Sequence, residues 1–220
     1  MEGGILPCQN PGAMAISRNP DSPLLDHTCA DLLDLFAAGR NTPGAGSAAA
    51  LTGAVAGSLL QAVARYTIRA AAKGEAYAPF RERAEALLAE VGEATRRLAL
   101  AADEDAAAFG RFWTLKGQAG AEEALEGATE VPIGIAERCA ALAAAGIELH
   151  EHGFKAARGE AATAVLLAVA SGEAALHVAR LNLKFAGTAG WVGACEERVA
   201  SLAGSLRDLG VVPRRSIPAG

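Results

Sequence analysis

The sequence predicts an all-α protein, a multihelical bundle built around one buried helix rich in glycine and alanine. Three observations lead there. From Ser47 to Ala64 the chain carries no charged side chain and few β-branched residues, and alanine is frequent, which favours helix over strand. Around this run Gly46, Ala50, Gly53 and Gly57 recur at helical spacing and make a stripe almost free of side chains. No segment shows convincing strand alternation, and no repeat of fixed period is present.

The stripe has an energetic meaning. Each interior glycine costs a helix roughly 1 kcal/mol relative to alanine, so Gly53 and Gly57 together cost about 2. A second backbone packed very close to this face would offset that cost. The run approaches the length of a membrane span, but alanine and glycine dominate it and no basic cluster flanks one side. A core helix of a soluble protein is the reading that follows, with no membrane partner.

Taken in order, residues 1–25 read as a loose extension rich in proline and glycine, with no basic segment followed by an apolar run and so no evident signal peptide. Residues 26–210 form the helical domain, and 211–220 a frayed tail. Asp26 or Thr28 can cap a first helix, Cys29 to Gly39, with an apolar face of Leu32, Leu33, Leu35 and Phe36. The turn Thr42-Pro43-Gly44-Ala45-Gly46 leads into the central helix, which ends near Lys73-Gly74. Pro79 suits the first turn of a third helix from about Ala78 to Leu115, with a stripe through Leu87, Val91, Leu98, Ala102, Phe109 and Phe112. A fourth helix spans about Ala121 to Leu149, and Pro132 is expected to kink or restart it. A loop from His150 to Arg158 precedes a fifth helix, Glu160 to about Phe185. Gly187 and Gly190 break the chain before a sixth, Trp191 to Leu209.

Composition narrows the function. The chain has 220 residues, 51% of them apolar and only 5% aromatic, which points to helices packed through small residues. A net charge of −5 without a basic stripe argues against nucleic acid as a partner. Cys8, Cys29, Cys139 and Cys195 are far apart and form no Cys-x-x-Cys pair, so neither a zinc site nor a disulfide framework is indicated. That fits a reducing cytoplasm.

Two places can carry chemistry. Glycines at the Thr42 to Gly46 turn leave backbone N–H groups exposed beside a helix N-terminus, where an anion can sit. The alternative is a helix start whose glycines only permit close packing, with Ser47 or Thr42 as cap. No lysine follows the last glycine, so this is not a phosphate loop. The second place is Asp103-Glu104-Asp105. Asp105 shares a helix face with Leu98, Ala102, Phe109 and Phe112, and a carboxylate buried there without a partner would cost several kcal/mol. It must be paired, protonated or turned to a wet site. Asp103 lies about 200° away on an ideal helix, so it and Glu104 read as a solvated patch. Glu160 suits a helix N-terminus, and Asn182 and Lys184 can bond a ligand or satisfy carbonyls. His150 and His152 diverge on a helix and lack a third ligand, so no metal is expected. His177, among Leu176, Val178 and Leu181, reads as a core histidine.

Read together, Thr42-Pro43-Gly44-Ala45-Gly46-Ser47, Asp103-x-Asp105-x-x-x-Phe109, Val131-Pro132 and Leu181-Asn182-Leu183-Lys184 resemble the motifs of one family, in order over roughly residues 28–185. That family comprises the formiminotransferase-cyclodeaminase C-terminal domain and the methenyltetrahydrofolate cyclohydrolases. The chain departs from it at Phe154, Gly159, Glu160 and Val178, where the family carries asparagine, serine, aspartate and asparagine, and the basic loop after the central helix is reduced to Lys73 and Tyr77. The resemblance implies a cytoplasmic homodimer acting on the one-carbon bridge of tetrahydrofolate, which is substrate rather than cofactor. The glycine stripe offers such a dimer a contact face. Asp105, or Asp103, would be the catalytic carboxylate with Glu160 and Lys184 as helpers. Thr42, Pro43, Gly44, Gly46, Ser47, Lys73, Asn182 and Lys184 would bind substrate. A chain without a transferase half favours cyclohydrolase over cyclodeaminase. The competing readings are a family scaffold turned to cyclisation or deamination of another small nitrogenous substrate, and a non-catalytic helical dimer.

Overall fold

The computed structural model describes residues 22–211. Cys8, nearly all of the expected leader and all but Val211 of the expected tail lie outside them. Within this range six α-helices are present: α1 (Cys29–Ala37), α2 (Ala45–Ala71), α3 (Arg81–Leu115), α4 (Ala121–His152), α5 (Arg158–Ala186) and α6 (Val192–Leu209). No strand occurs among the described residues.

Helix starts follow local chemistry. Thr28, not Asp26, caps α1: its hydroxyl accepts from the Asp31 N–H while the Asp31 side chain answers the Thr28 N–H, a reciprocal capping box. Leu32 and Leu35 pack against the core and Phe36 is half-buried, but Leu33 is 70% exposed and leaves the expected face. Pro79 sits in a separate 3₁₀ turn, Glu75–Phe80, just ahead of α3. Its missing N–H is tolerated there because no helical partner awaits it.

Pro132 does not restart the fourth helix. α4 runs through it from Ala121 to His152, because a donor from α5 replaces the bond the proline cannot make. The expected loop shrinks to Gly153, Phe154 and a 3₁₀ turn at Lys155–Ala157.

α2 lies between α3, α4 and α5, and the bundle core collects around it. Leu60, Leu98, Leu142 and Leu176 are among its fully buried side chains, each contributing about 1.5–3 kcal/mol by burial. The glycine stripe faces this interior. A methyl at Gly53 would come within 2.9 Å of the Cys139 sulfur and 3.0 Å of the Ser171 hydroxyl, and one at Gly57 would overlap Thr95. The close neighbours are small or flexible side chains of the same chain, so the stripe is not a surface left for a second copy. The opposite face of α2 is the open one, with Val55 55% exposed. By length and composition α2 and the Lys155–Ala186 segment could each cross a membrane; about half of each apolar window is buried inside the bundle.

His177 is exposed, contrary to the core position expected from its apolar neighbours. Residues 172, 175, 176, 179, 182 and 183 form the buried face of α5, and position 177 falls outside that arc.

Candidate active site

The first turn of α2 has no cap of its own. Gly44 occupies the capping position without a side chain to offer, and neither Thr42 nor Ser47 caps the helix. A carboxylate from another helix fills the gap. Asp105 on α3 is 7% exposed and its carboxyl lies so close over Gly46 that a Cβ there would overlap it, with Oδ2 at 2.6 Å. Glycine is required at position 46 for this approach.

Ser47 ties the two helices together. Its hydroxyl lies 2.8 Å from the Ala102 carbonyl and 3.1 Å from Asp105 Oδ2, donating toward both. A serine has one hydroxyl hydrogen. When it points at Ala102, the contact with Asp105 is satisfied best by a proton on Asp105. Burial pushes the Asp105 carboxyl above its ordinary value, and the Ser47 hydroxyl and backbone N–H pull it back only in part. A buried carboxyl whose pKa is raised in this way suits proton transfer.

Beside Asp105 opens a cleft of about 170 Å³, walled by the Asn41 to Gly46 turn, by Asp105 and Phe109 of α3, and by Val178, Leu181, Asn182 and Phe185 of α5. Asn182 is buried, and its Nδ2 donates to the Ala128 carbonyl at 2.9 Å. That bond fixes the amide orientation. The Asn182 Oδ1 accepts no bond among the described residues and remains an acceptor at the cleft wall.

The structure thus gathers Thr42, Gly44, Gly46, Asp105 and Asn182 around one cleft, with Ser47 behind it. Pro43 shapes the turn through a cis Thr42–Pro43 peptide. Asp103 points elsewhere: its Oδ1 accepts the Leu24 N–H at 2.9 Å and pins the segment before α1. Glu160 is exposed on the first turn of α5, about 33 Å along the helix from Asn182 at 1.5 Å per residue. Lys73 lies beyond the far end of α2 in a separate cleft, and exposed Lys184 lines a groove against α6. His150 Nδ1 contacts the Arg158 carbonyl at 3.2 Å, and His152 approaches Glu151.

Sequence reading missed the cleft's rim. Phe112 packs against Phe185, and Phe109 against Trp113, while Lys116 Nζ lies 4.5 Å above the Trp113 ring and 5.6 Å from that of Phe185. Phe185 is 59% exposed. The available signal was the concentration of aromatics at the ends of α3 and α5 in a chain with few of them.

Fold and cleft define an all-helical protein with a buried acid at a helix start, open to a small apolar pocket. A cyclodeaminase has this fold: the crystal structure of a formiminotetrahydrofolate cyclodeaminase from Thermotoga maritima superposes with a TM-score of 0.74 over 86% of this chain and 94% of that one, at 23% identity. The formiminotransferase-cyclodeaminase sequence profile matches residues 28–201. The chain belongs to that family. No curated protein sequence matches it.

Proposed function

We propose that the protein is a cyclohydrolase- or cyclodeaminase-type enzyme acting on the one-carbon bridge of tetrahydrofolate. The observation that carries this reading is the buried Asp105 carboxyl facing the same cleft as the open Asn182 Oδ1. An amidine or amidinium offers N–H donors and positive charge, and two acceptors, one able to bear a negative charge, complement it.

One carboxyl serves both reactions as a proton carrier. In hydrolytic opening, water bonds to the amidinium carbon of methenyltetrahydrofolate and yields a proton to Asp105. The adduct's bond from that carbon to N5 then breaks, N5 takes the proton from Asp105, and the remaining hydroxyl proton leaves as the formyl carbonyl forms on N10. In cyclodeamination, N10 bonds to the carbon of the protonated formimino group, Asp105 relays the N10 proton to the terminal NH2, and ammonia departs as the amidinium bridge forms. The cleft is too small for a whole folate. In this reading it holds the reacting ring edge, the aromatic rim takes the benzoyl group, and Lys116 meets the glutamate carboxylate.

Purified protein should consume methenyltetrahydrofolate, or release ammonia from the 5-formimino compound, faster than buffer does. Asp105→Asn should abolish the excess while folate binding persists. No excess in either assay removes this reading. A second reading, a non-catalytic helical dimer, is favoured by the missing cap on α2: Asp105 would then serve only as that cap. Folate binding without turnover supports it. For either reading we propose a homodimer through the open face of α2 around Val55, so Val55→Glu should give a monomer by light scattering.

A further inference from the structure

At the far end of α2, beyond the reach of the Asp105 cleft, a second cleft of about 430 Å³ is lined by Tyr66, Arg69, Lys73, Tyr77 and Phe154, with no carboxylate among its described lining residues. Lys73 is 27 residues from Gly46, about 40 Å along a helix, so one small ligand cannot occupy both clefts of a protomer. A pair of cations beside three aromatic rings stands out on a chain of net charge −5.

The aromatic wall is fixed rather than loose. Phe154 stacks obliquely on Tyr66 at 6.3 Å and meets Tyr77 edge-on at 5.8 Å. Its backbone N–H donates to the buried Thr67 hydroxyl at 2.9 Å, which in turn donates to the Val63 carbonyl. The Lys155 N–H donates to the Tyr77 hydroxyl at 3.3 Å. A Cβ at Gly153 would overlap the Leu149 carbonyl, so the chain can lie this close to the bundle only as glycine. The Arg69 guanidinium rests 4.9 Å above the Tyr66 ring. Stacked there, it is held in one plane with its N–H edge available to an anion.

We propose that this cleft binds a planar aromatic anion, a carboxylate or a phosphate ester. Its ring lies against Phe154 and Tyr77, and its charge meets the Arg69 fork and the Lys73 ammonium. The inference stands apart from the folate reading, which rests on the other end of α2.

The chain's two tyrosines are Tyr66 and Tyr77, so fluorine NMR of the full chain labelled with 3-fluorotyrosine reports on this cleft alone. Titration with 2-naphthoate or 2-naphthyl phosphate should move both resonances saturably in the sub-millimolar range, and the tighter of the two identifies the favoured anion. Cyclohexanecarboxylate and inorganic phosphate should bind at least about tenfold more weakly, as expected where ring contacts carry part of the affinity. Arg69→Gln with Lys73→Gln should weaken naphthoate about tenfold or more, and Phe154→Leu severalfold, with melting temperatures near that of the parent chain. No saturable shift from either aromatic anion overturns the proposal. So does equal binding of inorganic phosphate, or unchanged naphthoate affinity in the double variant.

Discussion

Asn182 on α5 supplies the hydrogen bond that Pro132 removes from α4. In an α-helix the N–H of residue 132 would bond the carbonyl of residue 128. Proline has no N–H, and the Asn182 Nδ2 donates to that same Ala128 carbonyl at 2.9 Å. A bond that would have been internal to one helix becomes a clamp between two, and it holds the Asn182 amide at the wall of the cleft.

This coupling predicts a thermodynamic cycle. Asn182→Leu leaves the Ala128 carbonyl buried without a donor and should cost about 1–3 kcal/mol. Pro132→Ala restores the helical donor. In the Pro132→Ala background, Asn182→Leu should therefore cost at least about 1 kcal/mol less. Urea denaturation of the four proteins measures it, and additive costs would show the two residues to be independent.

The raised Asp105 pKa predicts a pH-dependent stability difference. Below the ordinary carboxyl value of 3.8 the group is protonated both folded and unfolded, and its contribution is fully present. As pH rises through the raised native value, charge is forced into a buried site and that contribution is lost. An asparagine at this position keeps the shape and an acceptor for Ser47 but never ionises. Asp105→Asn should thus gain stability relative to the parent as pH rises from 3.8 through the raised native value. A difference independent of pH, followed by thermal melts, would show that Asp105 is not perturbed.

Close approach at Gly46 makes a third test. Alanine normally stabilises a helix interior by roughly 1 kcal/mol relative to glycine. At Gly46 the added methyl overlaps the Asp105 carboxyl, so Gly46→Ala should instead destabilise by about 1–3 kcal/mol and abolish any Asp105-dependent turnover. Gly127, exposed on α4 with nothing within 4 Å of a Cβ, is the control, and Gly127→Ala should stabilise by the propensity difference alone. Chemical denaturation compares the two.

What could be read from sequence follows from what is local. Helix existence, the Thr28 cap and the buried arc through Leu98, Ala102, Asp105 and Phe112 depend on neighbours three or four residues away, and spacing exposes them. The destination of each face is not local. The small stripe of α2 announces close approach, yet only the fold says that Thr95, Cys139 and Ser171 of the same chain make it. Pro132 reads as a break because its rescuer is 50 positions downstream. His177 reads as buried because its flanking residues are apolar, while the turn of α5 carries it outward. Glu160 and Lys73 stand at positions of family motifs in chain order, and order carries no information about which end of a roughly 40 Å helix a residue occupies. The Phe185 and Lys116 rim joins the ends of two helices, so neither helix's periodicity contains it.

That rim gives the last test. If Phe185 and Lys116 hold the part of a folate that does not react, their contacts are the same before and during the chemical step. Removing interactions of that kind raises KM and leaves kcat nearly unchanged. Phe185 is 59% exposed, so Phe185→Ala removes little core packing and should leave the fold intact. Loss of a base-sized aromatic contact predicts KM for methenyltetrahydrofolate up by roughly tenfold. Lys116→Ala should raise KM for a polyglutamylated substrate more than for one with a single glutamate, and added salt should shrink that difference because the contact is exposed. Steady-state kinetics on both substrates separates the cases. A fall in kcat with KM unmoved would place Phe185 at the reacting atoms instead, and unchanged kinetics in both variants would place the folate tail elsewhere on the protein.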